Sequence, residues 1–157
     1  MSLRRGALLA ERAHAGPLHA LLLLDLPKTA GGGGYAINLG GDAATLKVEG
    51  EADITVYRVR RAEGAEDEDG LSPARRHFCK RCGSALWVFD PRWPDLVHPF
   101  ASAIDTPLPP APEHANIMLD HAPAWAVVPA GAGEARFAEY PDQSIEDWHQ
   151  ARGLDVE

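Results

Sequence analysis

Proline and glycine recur so often along this chain that a long helix has little room to form. Thirteen prolines and fifteen glycines are distributed over 157 residues. Each proline removes a helical hydrogen bond, and each glycine weakens a helix interior. Between them lie short segments rich in β-branched, aromatic and apolar residues. They are LHALLLL from Leu18, YAINLG from Tyr35, TLKVEG from Thr45, ITVYRV from Ile54, ALWVFD from Ala85, LVHPFA from Leu96, NIMLD from Asn116, WAVVP from Trp125 and ARFAEY from Ala135. Bounded by Gly, Pro, Asp or Asn, these segments read as strands, and no fixed-period repeat organises them. The expectation is an all-β fold of small sheets. One short helix is signalled at the C-terminal end, where Ser144 can act as a cap, Asp147 follows three positions later, and Gly153 can close IEDWHQAR.

With 45% hydrophobic and 24% charged residues, a chain of this length fits one domain with its own core. The expected division is a core over about residues 6–141 and a helical tail over 142–157. A formal net charge of −8, with basic residues clustered no further than pairs such as Arg60-Arg61 and Arg75-Arg76, argues against a nucleic-acid partner. The apolar run LHALLLLDL is interrupted by Asp25 and falls far short of the roughly 20 residues of a membrane helix. The opening MSLRRGALLAERAH has too brief an apolar stretch for a secretory signal. The expected location is the cytoplasm, with no membrane contact, and the oligomeric state is left open.

Two loops stand out by composition. The acidic stretch from Ala62 to Ala74 reads as a solvated connection between strands. The four glycines Gly31, Gly32, Gly33 and Gly34 permit positive φ or close approach of backbone to a ligand. Without a following Lys-Ser/Thr they do not form a phosphate-binding loop. They read either as a flexible turn or as the border of a site.

Only two cysteines occur, Cys79 and Cys82, within RRHFCKRCGSALWV. A redox dithiol at a helix start is one reading, but GSALWVFD behind the pair has strand character. A disulfide across so short a loop is strained and is disfavoured in a reducing compartment. Two buried free thiols form a third reading. The fourth is a zinc knuckle, in which Gly83 supplies the turn conformation, yet a closed site takes four ligands and the chain has no further cysteine.

The stretch FCKRCGSALW resembles the F-C-x-x-C-G-S-x-L signature of the glutathione-dependent formaldehyde-activating enzyme family, which includes the centromere protein V group. PEHANIMLDHAPAW is similar to the family's Pro-x-x-His segment followed by Ala-Pro-x-Trp. DLPKTAGGGGYAINLG is similar to its Cys-x-Lys-x-x-Gly region, and YPDQSIEDWHQARGL to the tail of some members. The likeness runs from about Gly6 through nearly the whole chain. It implies a β-rich fold of the Mss4-like or β-tent kind and two zinc sites. One is structural, from Cys-x-Cys and the later Cys-x-x-Cys; the other is a reaction site from Cys-x-Cys-x-x-Cys, where glutathione meets formaldehyde. The implied activity is that of a carbon–sulfur lyase, an S-(hydroxymethyl)glutathione synthase.

This chain departs from that pattern at every other cysteine. Laid on the family's motifs, Leu8 and Ala10 take the two structural positions, and Leu21, Leu23 and Leu26 take the three reaction-site positions. A site retuned for another metal would carry His, Asp or Glu, because a metal needs lone pairs, which Leu and Ala lack. Burying each leucine stabilises a domain by roughly 1.5 to 3 kcal/mol, which offsets part of the folding energy that zinc supplies. Leu8, Leu21, Leu23 and Leu26 are therefore expected to point inward. Cys79 and Cys82 are left as a remnant of the structural site and the remaining place for zinc, with Glu11, His14, His19 and Asp25 as the polar groups available to complete it.

No catalytic residues are assigned. Ser84 reads as fixing the knuckle turn, His114 as a hydrogen-bonded strand-end residue, and Trp125 as a core or pocket wall. The expected function is a degenerate family member that binds a small molecule, with glutathione as the candidate thiol, or a protein partner. Gly31 to Gly34 and Trp125 border its ligand, and no cofactor is expected. The rival is a working lyase; a zinc-ribbon adaptor for nucleic acid is weakened by the acidic balance.

Overall fold

A computed structural model describes residues 8–10, 18–21, 33–61, 69–108, 110–111 and 113–153. Eleven strands carry the fold among them: β1 (Leu8–Ala10), β2 (Leu18–Leu21), β3 (Ala36–Asn38), β4 (Gly41–Asp42), β5 (Leu46–Val48), β6 (Ile54–Tyr57), β7 (Arg75–Cys79), β8 (Ala85–Phe89), β9 (Leu96–Pro99), β10 (His114–Ile117) and β11 (Glu134–Arg136). The fold class is all-β, with a single short α-helix, Ile145–Gln150, among the described residues. That helix begins as its sequence dictates. The Ser144 hydroxyl accepts from the Asp147 N–H at 3.0 Å and donates to the Asp147 carboxylate at 2.7 Å. Gly153 lies beyond its end at φ 61°. Among the described residues no helix is long and apolar enough to cross a membrane.

The chain divides into two compact units, residues 1–13 with 41–105 and residues 14–40 with 106–157. The first holds the two-stranded β1-β5 sheet and a five-stranded sheet in the order β4-β9-β8-β7-β6. Every pairing in the larger sheet is antiparallel. Register shifts by one residue between β7 and β8, where His77 faces Trp87 but Phe78 faces Ala85. The skipped Leu86 carbonyl instead accepts from the Phe100 N–H at 3.0 Å, as expected where a bulge frees a ladder group. Trp87, Val97 and Phe100 are buried here, Val97 completely.

The second unit is built on a mixed four-stranded sheet, β11-β10-β2-β3. β10 runs parallel to both neighbours, with His114 opposite Glu134 on one side and Leu18 on the other. Because side chains alternate along a strand, β10 presents Ala115 and Ile117 to one face and His114 and Asn116 to the other. Ala115, Ile117 and Met118 form a buried cluster, with Tyr35, Leu119, Ala122, Val128 and Phe137 packed against it.

Three sequence expectations change. WAVVP forms no strand; Pro123 and Pro129 bracket it, and the Ala126 N–H closes a turn onto the Pro123 carbonyl at 2.9 Å. NIMLD is strand only through Ile117, since Met118 takes a left-handed φ of 61° and leads into a 3-10 turn at Leu119–His121. RRHFC, with two arginines and a histidine, is a central strand although its charge hides it from a pattern reading; Arg76 is buried there. Of the leucines expected inward, Leu23 and Leu26 lie outside the described residues, and Leu8 and Leu21 are described only by their places in β1 and β2.

Candidate functional site

The cysteines sit at the tip of the β7-β8 hairpin. The Cys79 N–H donates to the Ser84 carbonyl at 2.9 Å, and the Gly83 N–H donates back to the Cys79 carbonyl at 2.8 Å. Gly83 holds φ 73°, the left-handed conformation that the sequence assigns to it. Ser84 fixes the turn, its Oγ 3.1 Å from Cys82 Sγ. Cys82 is exposed and Cys79 half-buried; both are free thiols. Hydrogen bonds from the Ser84 side chain and backbone, and then from the Cys79 thiol, hold the Cys82 thiol below its ordinary value. The knuckle is tied to the adjacent 3-10 turn: Lys80 N–H reaches the Asp53 carbonyl at 2.7 Å, and Arg81 pairs with the Asp53 carboxylate at 2.9 Å.

Two thiols from one turn are half of a closed tetrahedral site, and an open catalytic site still takes three protein ligands. Among the described residues no group of three or more His, Cys, Asp or Glu comes together. Among the described residues, Cys79 and Cys82 therefore have no third donor beside them. Of the groups available to complete a site, Glu11, His14 and Asp25 lie outside the described residues, and His19 is described by its register position beside Ala115 and opposite Asn38.

The second unit carries the other candidates. Gly31 and Gly32 lie outside the described residues. Gly34 has φ +87°, and a side chain there would meet the Trp125 indole at 3.0 Å and Ala126 at 3.1 Å. Gly34 is therefore required both by its backbone angle and by the aromatic ring laid against it. A side chain on Gly33 would meet the Tyr35 ring at 2.8 Å, and Tyr35 packs onto the β10 cluster. Gly34 and Trp125, 91 places apart by sequence number, are thus brought together. Trp125 is not a core residue, however: it is 61% exposed.

Sequence reasoning missed the partners of His114. Its Nδ1 lies 2.8 Å from Glu134 Oε1, while Asn116 Nδ2 donates to Glu134 Oε2 at 2.8 Å and to the Ala135 carbonyl at 3.2 Å. Asn116 is only 1% exposed. The hydrogen bonds from Asn116 and then from His114 hold the Glu134 carboxyl below its ordinary range. With Nδ1 turned to a carboxylate, the imidazole is oriented and its Nε2 is the nitrogen left to accept or deliver a proton. No local motif announces this cluster, because it forms only when β10 and β11 pair in parallel register. His114 itself behaves as the sequence anticipates, hydrogen-bonded at the first position of its strand.

No family model and no solved structure matches this chain. A Halomonas elongata protein provisionally described as a glutathione-dependent formaldehyde-activating enzyme is 55% identical to it over 129 residues, covering 82% of this chain and 78% of that protein. Identity at that level across most of both chains agrees with the motif around the cysteine knuckle. The chain belongs to the glutathione-dependent formaldehyde-activating enzyme family.

Proposed function

We propose that this family member is a cytoplasmic small-thiol-binding module in which apolar side chains have replaced the zinc-dependent reaction site. The observation that carries the reading is the chemistry of the replaced positions. Leu8, Ala10, Leu21, Leu23 and Leu26 stand where the family's motifs bear cysteines, and none has a lone pair for a metal. Activating a thiol and polarising formaldehyde through zinc requires at least three protein donors.

Binding asks for less. The exposed indole of Trp125 beside the side-chain-free backbone of Gly34 offers an aromatic wall and open peptide groups. The description of the Halomonas protein supports glutathione as the ligand class. That same description, together with the oriented His114 imidazole, favours a second reading as a working carbon–sulfur lyase.

The two readings separate on three measurements: zinc content of protein purified without chelator, S-(hydroxymethyl)glutathione formation with and without added zinc, and calorimetric titration of glutathione into the full chain and into Trp125→Ala. The module reading expects substoichiometric zinc, no rate above the spontaneous reaction, and saturable binding lost in Trp125→Ala. Zinc-dependent turnover overturns it in favour of the lyase. Absence of both binding and turnover overturns the small-thiol reading and leaves a protein-partner role.

A further inference from the structure

The Cys79–Cys82 hairpin tip carries both cysteines of the chain as free thiols. Its two sulfurs are carried on one six-residue turn, Cys79 to Ser84. One is open to solvent and the other half-buried, as an attacking thiol and its resolving thiol would be. The Ser84 carbonyl and the Gly83 N–H both bond to Cys79, which fixes the turn between the two thiols. Ser84 Oγ lies 3.1 Å from the exposed sulfur. Between the two cysteines stand Lys80, whose Nζ donates to the Ala52 carbonyl at 3.1 Å, and Arg81, paired with Asp53 at 2.9 Å; both remain exposed cations beside the tip.

We propose that this tip is a thiol–disulfide exchange site whose substrate class is a small anionic disulfide such as glutathione disulfide. Cys82 sulfur attacks one sulfur of the substrate, whose S–S bond breaks; the first glutathione leaves as a thiolate and takes up the proton released by Cys82. The product is a mixed disulfide on Cys82. Cys79 sulfur then attacks Cys82 sulfur, forming the intramolecular bond and expelling the second glutathione, which takes up the Cys79 proton. Two electrons pass from the protein dithiol to the substrate disulfide, and two glutathione molecules reverse the sequence. No other reactant is required.

The short loop that disfavours this disulfide as a structural brace is what suits it to exchange. Only two residues separate the cysteines, so closing the loop constrains the unfolded chain little. Strained, exposed disulfides are the labile ones. This site lies in the first unit and does not rest on ligand binding at Gly34 and Trp125 in the second.

The test equilibrates the full chain with glutathione and glutathione disulfide over a series of ratios, followed by acid quenching, alkylation of free thiols and intact mass measurement. At oxidising ratios both thiols should escape alkylation, with loss of two hydrogens and no retained adduct. Cys79→Ser should trap one glutathione on Cys82. Cys82→Ser should acquire its adduct about tenfold more slowly, because exchange follows access. The proposal is overturned if both thiols remain alkylatable at every ratio, if the unaltered chain retains the mixed disulfide, or if bound zinc withholds both thiols. The result on the unaltered chain decides even where a serine variant fails to fold.

Discussion

The two sheets of the larger strand assemblies differ in how far the chain must reach to build them. In the five-stranded sheet, β6, β7, β8 and β9 are joined in sequence order, each antiparallel to the next. In the four-stranded sheet, β10 lies parallel to β2, with His114 opposite Leu18 and Ile117 opposite Leu21. The first kind of pairing is directed by turns and local pattern. The second depends on contacts between segments nearly a hundred residues apart in sequence, which no local signal selects. The candidate sites divide in the same way. The cysteine knuckle, built by six consecutive residues, is readable in the sequence, whereas the His114–Glu134–Asn116 cluster exists only through strand pairing.

The largest expected effect is in the first sheet. Trp87 is 4% exposed and stacks on His77 with ring centroids 4.3 Å apart, so Trp87→Ala should destabilise the protein by about 3–5 kcal/mol. A fall in the urea midpoint at unchanged slope is the expected result. A loss below about 1 kcal/mol would show that this sheet is not held by its tryptophan.

Next comes the second sheet. Asn116→Ala removes two hydrogen bonds from a buried position and leaves Glu134 Oε2 without its amide donor, with an expected loss of about 1–3 kcal/mol. Asn116→Asp should be worse, because it sets a second carboxylate against Glu134. Equal stability of the Ala and Asp variants would break the comparison by showing that the parallel sheet does not depend on this polar cluster.

A smaller effect is expected at Gly34. Alanine there must adopt φ +87° and crowd the Trp125 ring, with a loss of about 1–2 kcal/mol. Chemical shift changes should centre on Trp125 and Ala126. By contrast, exposed Trp125→Ala should alter stability by no more than about 0.5 kcal/mol. A large loss from the tryptophan variant would restore its reading as core.

The smallest effects are dependences on pH, and they separate the sheets by window. Burial lowers the His77 pKa from 6.5, so below about that pH the unfolded chain takes up a proton that the folded one refuses. Stability then falls with acidification until the lower folded value is reached. Glu134 is depressed from 4.5; its contribution is present above that value and is lost as pH falls through the folded pKa. His77→Phe, which keeps a ring beside Trp87, should flatten the loss that begins near pH 6.5. Glu134→Gln should flatten only the more acidic part. The same window for both variants would refute the assignment.

Legibility follows the range of the interaction. The Ser144 cap, the Gly83 turn and most of the short strands could be read because each depends on groups a few residues apart. β7 was hidden because RRHFC carries three basic side chains, and only the surrounding sheet makes room for a buried Arg76 and a half-buried His77. WAVVP misled in the opposite direction: its apolar content satisfies a strand pattern, while its bracketing prolines and the Ala126–Pro123 hydrogen bond make it a turn.

The sequence by itself determined an all-β chain of short elements, a two-cysteine knuckle, and the absence of any further cysteine. The first two follow from covalent and local facts: proline lacks an N–H, and glycine admits positive φ. Only the tertiary structure decided that Glu134 orients His114, that Trp125 lies exposed against Gly34, and that Cys82 is open to solvent while Cys79 is half-buried. Each of these depends on the register and burial of packed segments, set by the many contacts of a whole sheet or turn acting together rather than by the residues immediately beside them in sequence.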